Sequence, residues 1–534
     1  MVNEVQVVTR PPYAGGGRWW EFPLRLARQL HATTEESVIR RFLLLDVGMA
    51  CNERRRAESE RILRAQPFLA EASVKAVPDA QGGVTLIAET TDELTPVIVA
   101  VTKQQSPYLS ALKLGDGNVG GSGTYAAVEW REGFVRDNWG ARVVDHQFFG
   151  RMYVLELEAA RRDLGTNWVA DLGHPFFTEL QRVAWRARAE NTIETFGYLR
   201  PGEPAAQVTL ERQFVDVGGV MRIGVPGRLS VFGVSFSRES DETALPLVID
   251  SAVDYDALLA NFSVRDNARV NAIWGVRNLS YRRVERFDAI TAAQDVRFGF
   301  QLGTLFGRSL SVLGTTDDDI LVAANMYGGV GSERTFMSLQ ARGEGRQNYD
   351  NNKWDGMIGG ARLSLYKRLT DRNTIFASAD WGAGWRVKVP FQLTMGDREG
   401  GVRGYRASHD AGGRRAAVRL EDRFFMGRMR RNADAGLAIF ADAGKLWRGD
   451  VPFGVSTPVK FGAGIGLLAA FPAGSKRTWR LDLAYPLSPD GHAKFEVRLS
   501  SMDASGTIRA GWREPADLTR SREQSVPSSV YNWP

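Results

Sequence analysis

From Thr124 to Ser500 apolar and polar side chains alternate with a period of two, segment after segment, and this narrows the choice of fold more than any other feature. Tyr153, Leu155, Leu157 and Ala159 alternate with Val154, Glu156 and Glu158, and Trp479, Leu481, Leu483 and Tyr485 with Arg480 and Asp482. Each such segment reads as a strand with one apolar and one largely charged face. A soluble sandwich also alternates, with its apolar face inward. Two features favour a membrane barrel instead. The polar faces of successive strands carry charges of both signs, as a water-filled lumen allows. Aromatic residues, among them Trp168, Phe176, Phe177, Trp381, Trp385, Phe424, Phe425, Trp447 and Tyr485, recur near strand ends, where an interfacial girdle lies. At roughly 25 residues per strand and connection, residues 95–503 hold about sixteen strands.

Composition agrees with that reading. The longest uncharged stretch of note, Phe461 to Ser475, is Gly-rich and falls short of the roughly 18 apolar residues that a spanning helix needs. The net charge is +6, but Lys+Arg 68 and Asp+Glu 62 are interleaved along the chain, so nucleic acid is not an expected partner. The single Cys51 excludes an internal disulfide framework and a Cys-based zinc cluster. No signal peptide is visible ahead of Asn3-Glu4-Val5, although an outer-membrane location calls for one.

Residues 1–94 follow a different pattern. Val5 to Val8 reads as a strand, and Thr33 with Glu36 as a capping box opening a helix through Val38, Ile39, Phe42 and Leu43. Asn52 caps a second, highly charged helix running from Glu53 to Arg64. Two strands follow, Ala72 to Val77 and Val84 to Thr90, giving the order β-α-α-β-β. The expected organisation is a small α+β unit over 1–94, a barrel over 95–503 and a polar tail over 504–534.

Motifs for bond chemistry are lacking. Gly115-Asp116-Gly117-Asn118-Val119-Gly120 matches a dinucleotide fingerprint, but alternating Tyr125 to Trp130 follows where a phosphate-binding helix is required, so it reads as a turn. There is no nucleophile elbow, P-loop or H-E-x-x-H, and the five histidines are dispersed. We expect no enzyme activity, no cofactor and no metal site.

One constellation stands out. Val402-Arg403-Gly404-Tyr405 lies in a Gly-rich loop, and Glu421 and Asp442 follow on strand-like segments. If Val418 and Leu420 face lipid, Glu421 faces the lumen; if Leu437, Ile439 and Ala441 face lipid, Phe440 and Asp442 face the lumen. Both acids are then available to an inward loop, where a charge-assisted contact with Arg403 compensates for ordering it. Parity leaves the alternative open that Arg403 is an exposed loop residue and the acids line water, and by itself it favours that alternative.

The order of these segments resembles the bacterial surface antigen superfamily, the outer-membrane assembly and secretion barrels typified by BamA and TamA. Residues 1–94 look like one polypeptide-transport-associated (POTRA) domain. Gly117-Asn118-Val119-Gly120-Gly121-Ser122-Gly123 resembles the family's Asn-Leu-Phe-Gly-x-Gly turn early in the barrel. Val402-Arg403-Gly404-Tyr405 is similar to its loop-six motif, Phe440-x-Asp442 to its strand motif, and Gly464-x-Gly466-Leu467 with Leu481 to Leu487 to its late-strand pattern. The resemblance implies a sixteen-stranded outer-membrane barrel with its N-terminal domain in the periplasm, and a tether of Arg403 to Asp442 with Glu421 as second partner. It implies help in inserting or translocating unfolded outer-membrane or secreted polypeptides, taken up by edge-strand addition, with the lipid bilayer and periplasmic chaperones or lipoproteins as further partners. The alternative within the same superfamily is a passive outer-membrane pore or surface receptor. A single such N-terminal domain, the insertion from Pro11 to Leu30 and the tail after the last strand depart from the family pattern.

Overall fold

The computed structural model describes residues 1–12, 31–102, 109–315, 318–349, 352–396, 401–429, 433–488 and 495–503. Most of the Pro11–Leu30 insertion, Trp19-Trp20 included, and the tail over 504–534 lie outside them.

The N-terminal unit contains β1 (Val2–Arg10), α1 (Glu36–Arg41), α2 (Glu53–Ala65), β2 (Leu69–Pro78) and β3 (Val84–Asp92). Its sheet has the order β1-β3-β2, with β1 parallel and β2 antiparallel to β3. Val38 and Ile39 from α1, Phe42 at its C-terminal cap, and Ile62 and Leu63 from α2 pack with Val74, Leu86 and Ala88 of the sheet. Asn52 caps α2 by accepting from the Arg54 and Arg55 N–H groups. The Thr33 capping box does not form. Residue 35 starts α1 without a side-chain cap, its own N–H bonding instead to the Gly121 carbonyl across the unit boundary. The neighbouring Thr34 is held by Asp92, to which its hydroxyl donates at 2.7 Å.

The remaining large sheet begins with six short strands, β4 (Pro96–Thr102), β5 (Leu109–Asp116), β6 (Thr124–Arg131), β7 (Asn138–Asp145), β8 (Val154–Arg161) and β9 (Thr166–His174). Long strands follow: β10 (Val183–Arg200), β11 (Glu203–Val225), β12 (Arg228–Ala244), β13 (Arg265–Glu285) and β14 (Ala293–Ser309). Next come β15 (Asp319–Gly331), β16 (Thr335–Asn348), β17 (Lys353–Arg368) and β18 (Asn373–Trp385). A two-stranded pair, β19 (Leu393–Thr394) and β20 (Ala411–Gly412), lies within the next connection. The sheet ends with β21 (Arg414–Met429), β22 (Ala433–Trp447), β23 (Lys460–Ala470), β24 (Arg477–Pro486) and β25 (Glu496–Asp503). Leaving out the short pair, these strands form one antiparallel barrel that closes where β25 lies beside β4.

The described residues thus contain twenty barrel strands, more than the sixteen expected. The difference lies at the start, where β4 to β9 are only seven to nine residues each. An average of roughly 25 residues per strand, reasonable for the tall strands of a large barrel, overestimates these.

The two faces settle which way the alternation points. Val215, Val217, Val234, Val270, Trp274, Leu420, Ile439 and Ile465 are exposed on the outside, whereas Arg212, Asp216, Glu239, Asp241, Arg269 and Arg277 are buried within. A soluble fold has the opposite arrangement; this one suits lipid outside, with all strand hydrogen bonds made internally. Trp168, Trp381, Trp385, Phe424, Trp447 and Tyr485 are on the exposed outer side. Phe176, Phe177 and Phe425 are not: all three are buried inside, because they belong to inward segments or the lumen face.

The N-terminal unit is seated on one mouth of the barrel. Phe177, from the β9–β10 connection, joins the core of the unit beside Phe42. The Asn118 amide donates to the Thr34 hydroxyl at 2.8 Å, so the Gly-rich stretch 115–120 is a seating turn and not a phosphate cradle. Glu58 of α2 accepts from the Thr178 hydroxyl at 2.5 Å and the Glu179 N–H at 3.1 Å. Burial alone pushes the Glu58 carboxyl up, but the Arg61 charge and these hydrogen bonds outweigh it and hold the carboxyl below its usual range. A depressed carboxyl stabilises docking above its unfolded value and loses that contribution as pH falls through the folded one. Anisotropy of a dye on the exposed Cys51 should therefore stay flat from neutral pH down to about pH 5 and fall on acidification below about pH 4. Glu58→Gln should lower it already at neutral pH.

Candidate functional site in the barrel lumen

The β18–β21 connection leaves the mouth opposite the N-terminal unit and folds back into the barrel. Val402, Tyr405, Leu393 and Met395 pack there with Ile358 of β17 and Leu446 of β22. Parity supplies the floor beneath this loop. On β21 Val418 and Leu420 are exposed and Glu421 is buried; on β22 Ile439 is exposed and Phe440 and Asp442 are buried.

Arg403 joins these residues. Its Nε donates to Asp442 Oδ2 and its Nη2 to Asp442 Oδ1, each at 2.7 Å, a bidentate pair, and its backbone N–H adds a third bond to the same carboxylate at 3.1 Å. Nη1 donates to Glu421 Oε2 at 3.0 Å and lies 3.8 Å from Asp482. The guanidinium carbon lies 3.4 Å from the centroid of the Phe440 ring, so the ring supports the cation from below while the carboxylates hold its edges. Sequence parity placed Glu421, Asp442 and Phe440 on the lumen side, while only the family resemblance favoured their contact with Arg403; the structure brings all four into one cluster.

The other motif residues fix the backbone of the loop. Gly404 has φ +97°, and a Cβ there would press on the backbone of Pro486, so glycine is required on two counts. The Gly404 and Arg406 N–H groups both donate to Glu496 of β25, at 2.9 and 3.2 Å. The Tyr405 hydroxyl lies 3.0 Å from the carbonyls of Phe461 and Ser488. Val402 presses against Gly444 of β22 and Gly462 of β23. The loop thereby ties β21, β22, β23 and β25 together beside the closure of the barrel.

Several participants were not singled out from sequence. Arg480 donates to Asp482 at 2.6 Å and to Glu421 at 2.6 Å, and Arg423 donates to Glu421 at 2.6 Å, so Glu421 receives three arginines. Arg419 holds the Gly401 carbonyl at 2.7 Å. A Cβ at Gly462 would collide with the Arg403 carbonyl, and one at Gly464 with the Phe440 ring. The lumen parity of Arg480, Asp482 and Arg423 was readable. Their convergence was not, because it depends on how strands 38 to 61 residues apart along the chain are rolled together.

No family model matches the sequence, and no match is found among curated proteins. Solved structures similar to it include BamA from Haemophilus ducreyi lacking POTRA domains 1–3, at 14% identity and a TM-score of 0.36 over 94% of this chain and 85% of that one. CdiB from Escherichia coli is similar at 13% identity and a TM-score of 0.41, over 94% and 75%. The alcaligin outer-membrane receptor FauA from Bordetella pertussis is similar at 11% identity and a TM-score of 0.31, over 77% and 65%. At these scores the fold rests on its own strand order.

Removing one partner from a buried ion pair costs about 3–5 kcal/mol, because the other charges stay buried. Arg403→Ala should release the loop, read as new trypsin cleavage between residues 386 and 413 in a barrel that keeps its heat-modifiable migration. Because Arg403 faces three acids, Arg403→Asp combined with Asp442→Arg should not restore protection; a full rescue would mean that Asp442 alone sets the tether. Gly462→Ala should produce the same cleavage with every charge in place.

Proposed function

We propose that this chain is an outer-membrane barrel of the bacterial surface antigen type that assists insertion or translocation of other polypeptides, with residues 1–94 acting as a POTRA-like domain in the periplasm. The observation that carries this is the lumen tether of Arg403 to Asp442 and Glu421, in a barrel whose other mouth bears a β-α-α-β-β unit. The buried Arg403 loop argues against a permanently open channel and so against the passive-pore reading.

Unfolded polypeptide would reach the unit at a sheet edge, since β2 is an outer strand in the order β1-β3-β2. At Val74 that edge is occupied by side chains of α2: the N–H donates to Glu60 at 3.1 Å, and the carbonyl accepts from Arg56. An incoming strand would replace these two contacts. Neither bond chemistry nor a cofactor enters the scheme; periplasmic chaperones or lipoproteins would deliver the client.

Reconstitution tests it. With the full chain in liposomes, a urea-unfolded outer-membrane barrel should reach its heat-modifiable folded form several-fold faster than in empty liposomes, and a photo-crosslinker at Lys75 on β2 should capture it. A rate equal to that of empty liposomes, with ion conductance present, would leave the passive pore or receptor.

A further inference from the structure

The connection between β13 and β14 lies at the mouth that carries the N-terminal unit. It reads Arg286-Phe287-Asp288-Ala289-Ile290-Thr291-Ala292, and a short hairpin connection of this kind ordinarily sits on the surface in water. Here Phe287, Ala289, Ile290 and Ala292 are at most 1% exposed. Ile290 packs against lumen-facing Phe425 of β21, Ala438 of β22 and Leu468 of β23, and Phe287 stacks on Tyr366 of β17 at 4.9 Å. The segment therefore extends from its own hairpin across the lumen to the far wall.

Polar contacts fasten it there. Arg423 of β21 donates to the Phe287 carbonyl at 2.6 Å and to Asp288 at 2.8 Å, and the Tyr366 hydroxyl donates to Asp288 at 3.0 Å. The Thr374 hydroxyl donates to the Arg286 carbonyl at 2.9 Å, and the Thr291 hydroxyl to Asp434. The same Arg423 donates to Glu421, whose other oxygen takes Arg403. One unbroken run of ionic contacts, Asp288–Arg423–Glu421–Arg403–Asp442, thus joins a segment entering from one mouth to the loop entering from the other.

We propose that residues 286–292 are a second plug of the barrel, and that Glu421 is the shared anchor that couples its seat to that of the Arg403 loop. Displacing residues 286–292 strips Asp288 from Arg423, and displacing the loop strips Arg403 from Glu421; because charges of opposite sign alternate along the run, either loss weakens the hold on the other segment. The N-terminal unit grips the base of the same hairpin: Arg64 of α2 pairs with Asp295 of β14 through two 2.8 Å bonds, and Arg61 covers the Tyr281 ring of β13. Arg64 also pairs with Glu60, which holds the β2 edge at Val74. A strand added at that edge would displace Glu60 from Val74 and so alter the charge beside Arg64 at the base of the plug.

The proposal rests on the reading above only in taking the lumen as a path across the membrane, and the test keeps the two apart. Full-length protein in planar bilayers should conduct several-fold more in the combined variant Arg403→Ala/Asp288→Ala/Ile290→Ala than in Arg403→Ala or in Asp288→Ala/Ile290→Ala. Glu421→Gln alone should match the combined variant. To guard against misfolding, Thr291→Cys/Asp434→Cys in a Cys51→Ser, Glu421→Gln background should be closed when oxidised and open on adding reductant. Equal currents for Arg403→Ala and the combined variant, a combined variant as closed as wild type, or a locked form that conducts without reductant would each overturn the proposal. A chain that shows the reductant-gated current yet fails to speed client folding keeps the second plug and loses the assembly function.

Discussion

Each strand of the barrel turns its apolar side chains to lipid, and the lumen is left with arginines and carboxylates that have to neutralise one another out of contact with bulk water. Such groups are tolerable when paired and costly when a partner is missing. The interior accordingly forms connected networks. Around Arg403 these are Asp442, Glu421, Asp482, Arg480 and Arg423; around Arg269 they are Glu239, Asp319 and Arg346. In the second of these Glu239 of β12 meets Arg346 of β16, so charge pairing also draws together strands that are not neighbours in the sheet.

Much of this was legible in the sequence where the information was local. Period-two alternation assigned the sheet, and the parity of Leu420 against Glu421 and of Ala441 against Asp442 placed both acids on the lumen side. Asn52 as a helix cap rests on the same kind of local signal. What stayed hidden was tertiary. Thr33 and Glu36 have the spacing of a capping box, yet α1 is started by a carbonyl from the barrel, 86 residues away from residue 35. Phe176 and Phe425 look like girdle aromatics because they sit near strand ends, and only the inward course of the connections shows that they fill the interior.

Residues 286–292 illustrate the limit most clearly. Arg-Phe-Asp-Ala-Ile-Thr-Ala has neither the Gly or Asn expected of a tight turn nor a pattern that marks an insert. Its burial depends on β13 and β14 facing β21 to β23 across the lumen, a distance set by the strand number, which sequence placed at about sixteen and the described residues place at twenty. The glycines at 462 and 464 pose the same problem in reverse: the sequence does not show that the Arg403 carbonyl and the Phe440 ring occupy the space their side chains would fill.

The edge contact at Val74 has a consequence of another kind. An outer strand with bare N–H and C=O groups is a template for any passing chain, including another copy of itself. A carboxylate and a guanidinium from the adjacent helix occupy that one residue, between the register shift at Leu69/Glu71 and Pro78 at the end of the strand, and both belong to long, half-buried side chains. A protein made in one compartment and installed in another passes through a stage in which it is concentrated, unanchored and surrounded by sticky strands. A self-covered edge is a means of remaining solitary through that stage while still being able to open.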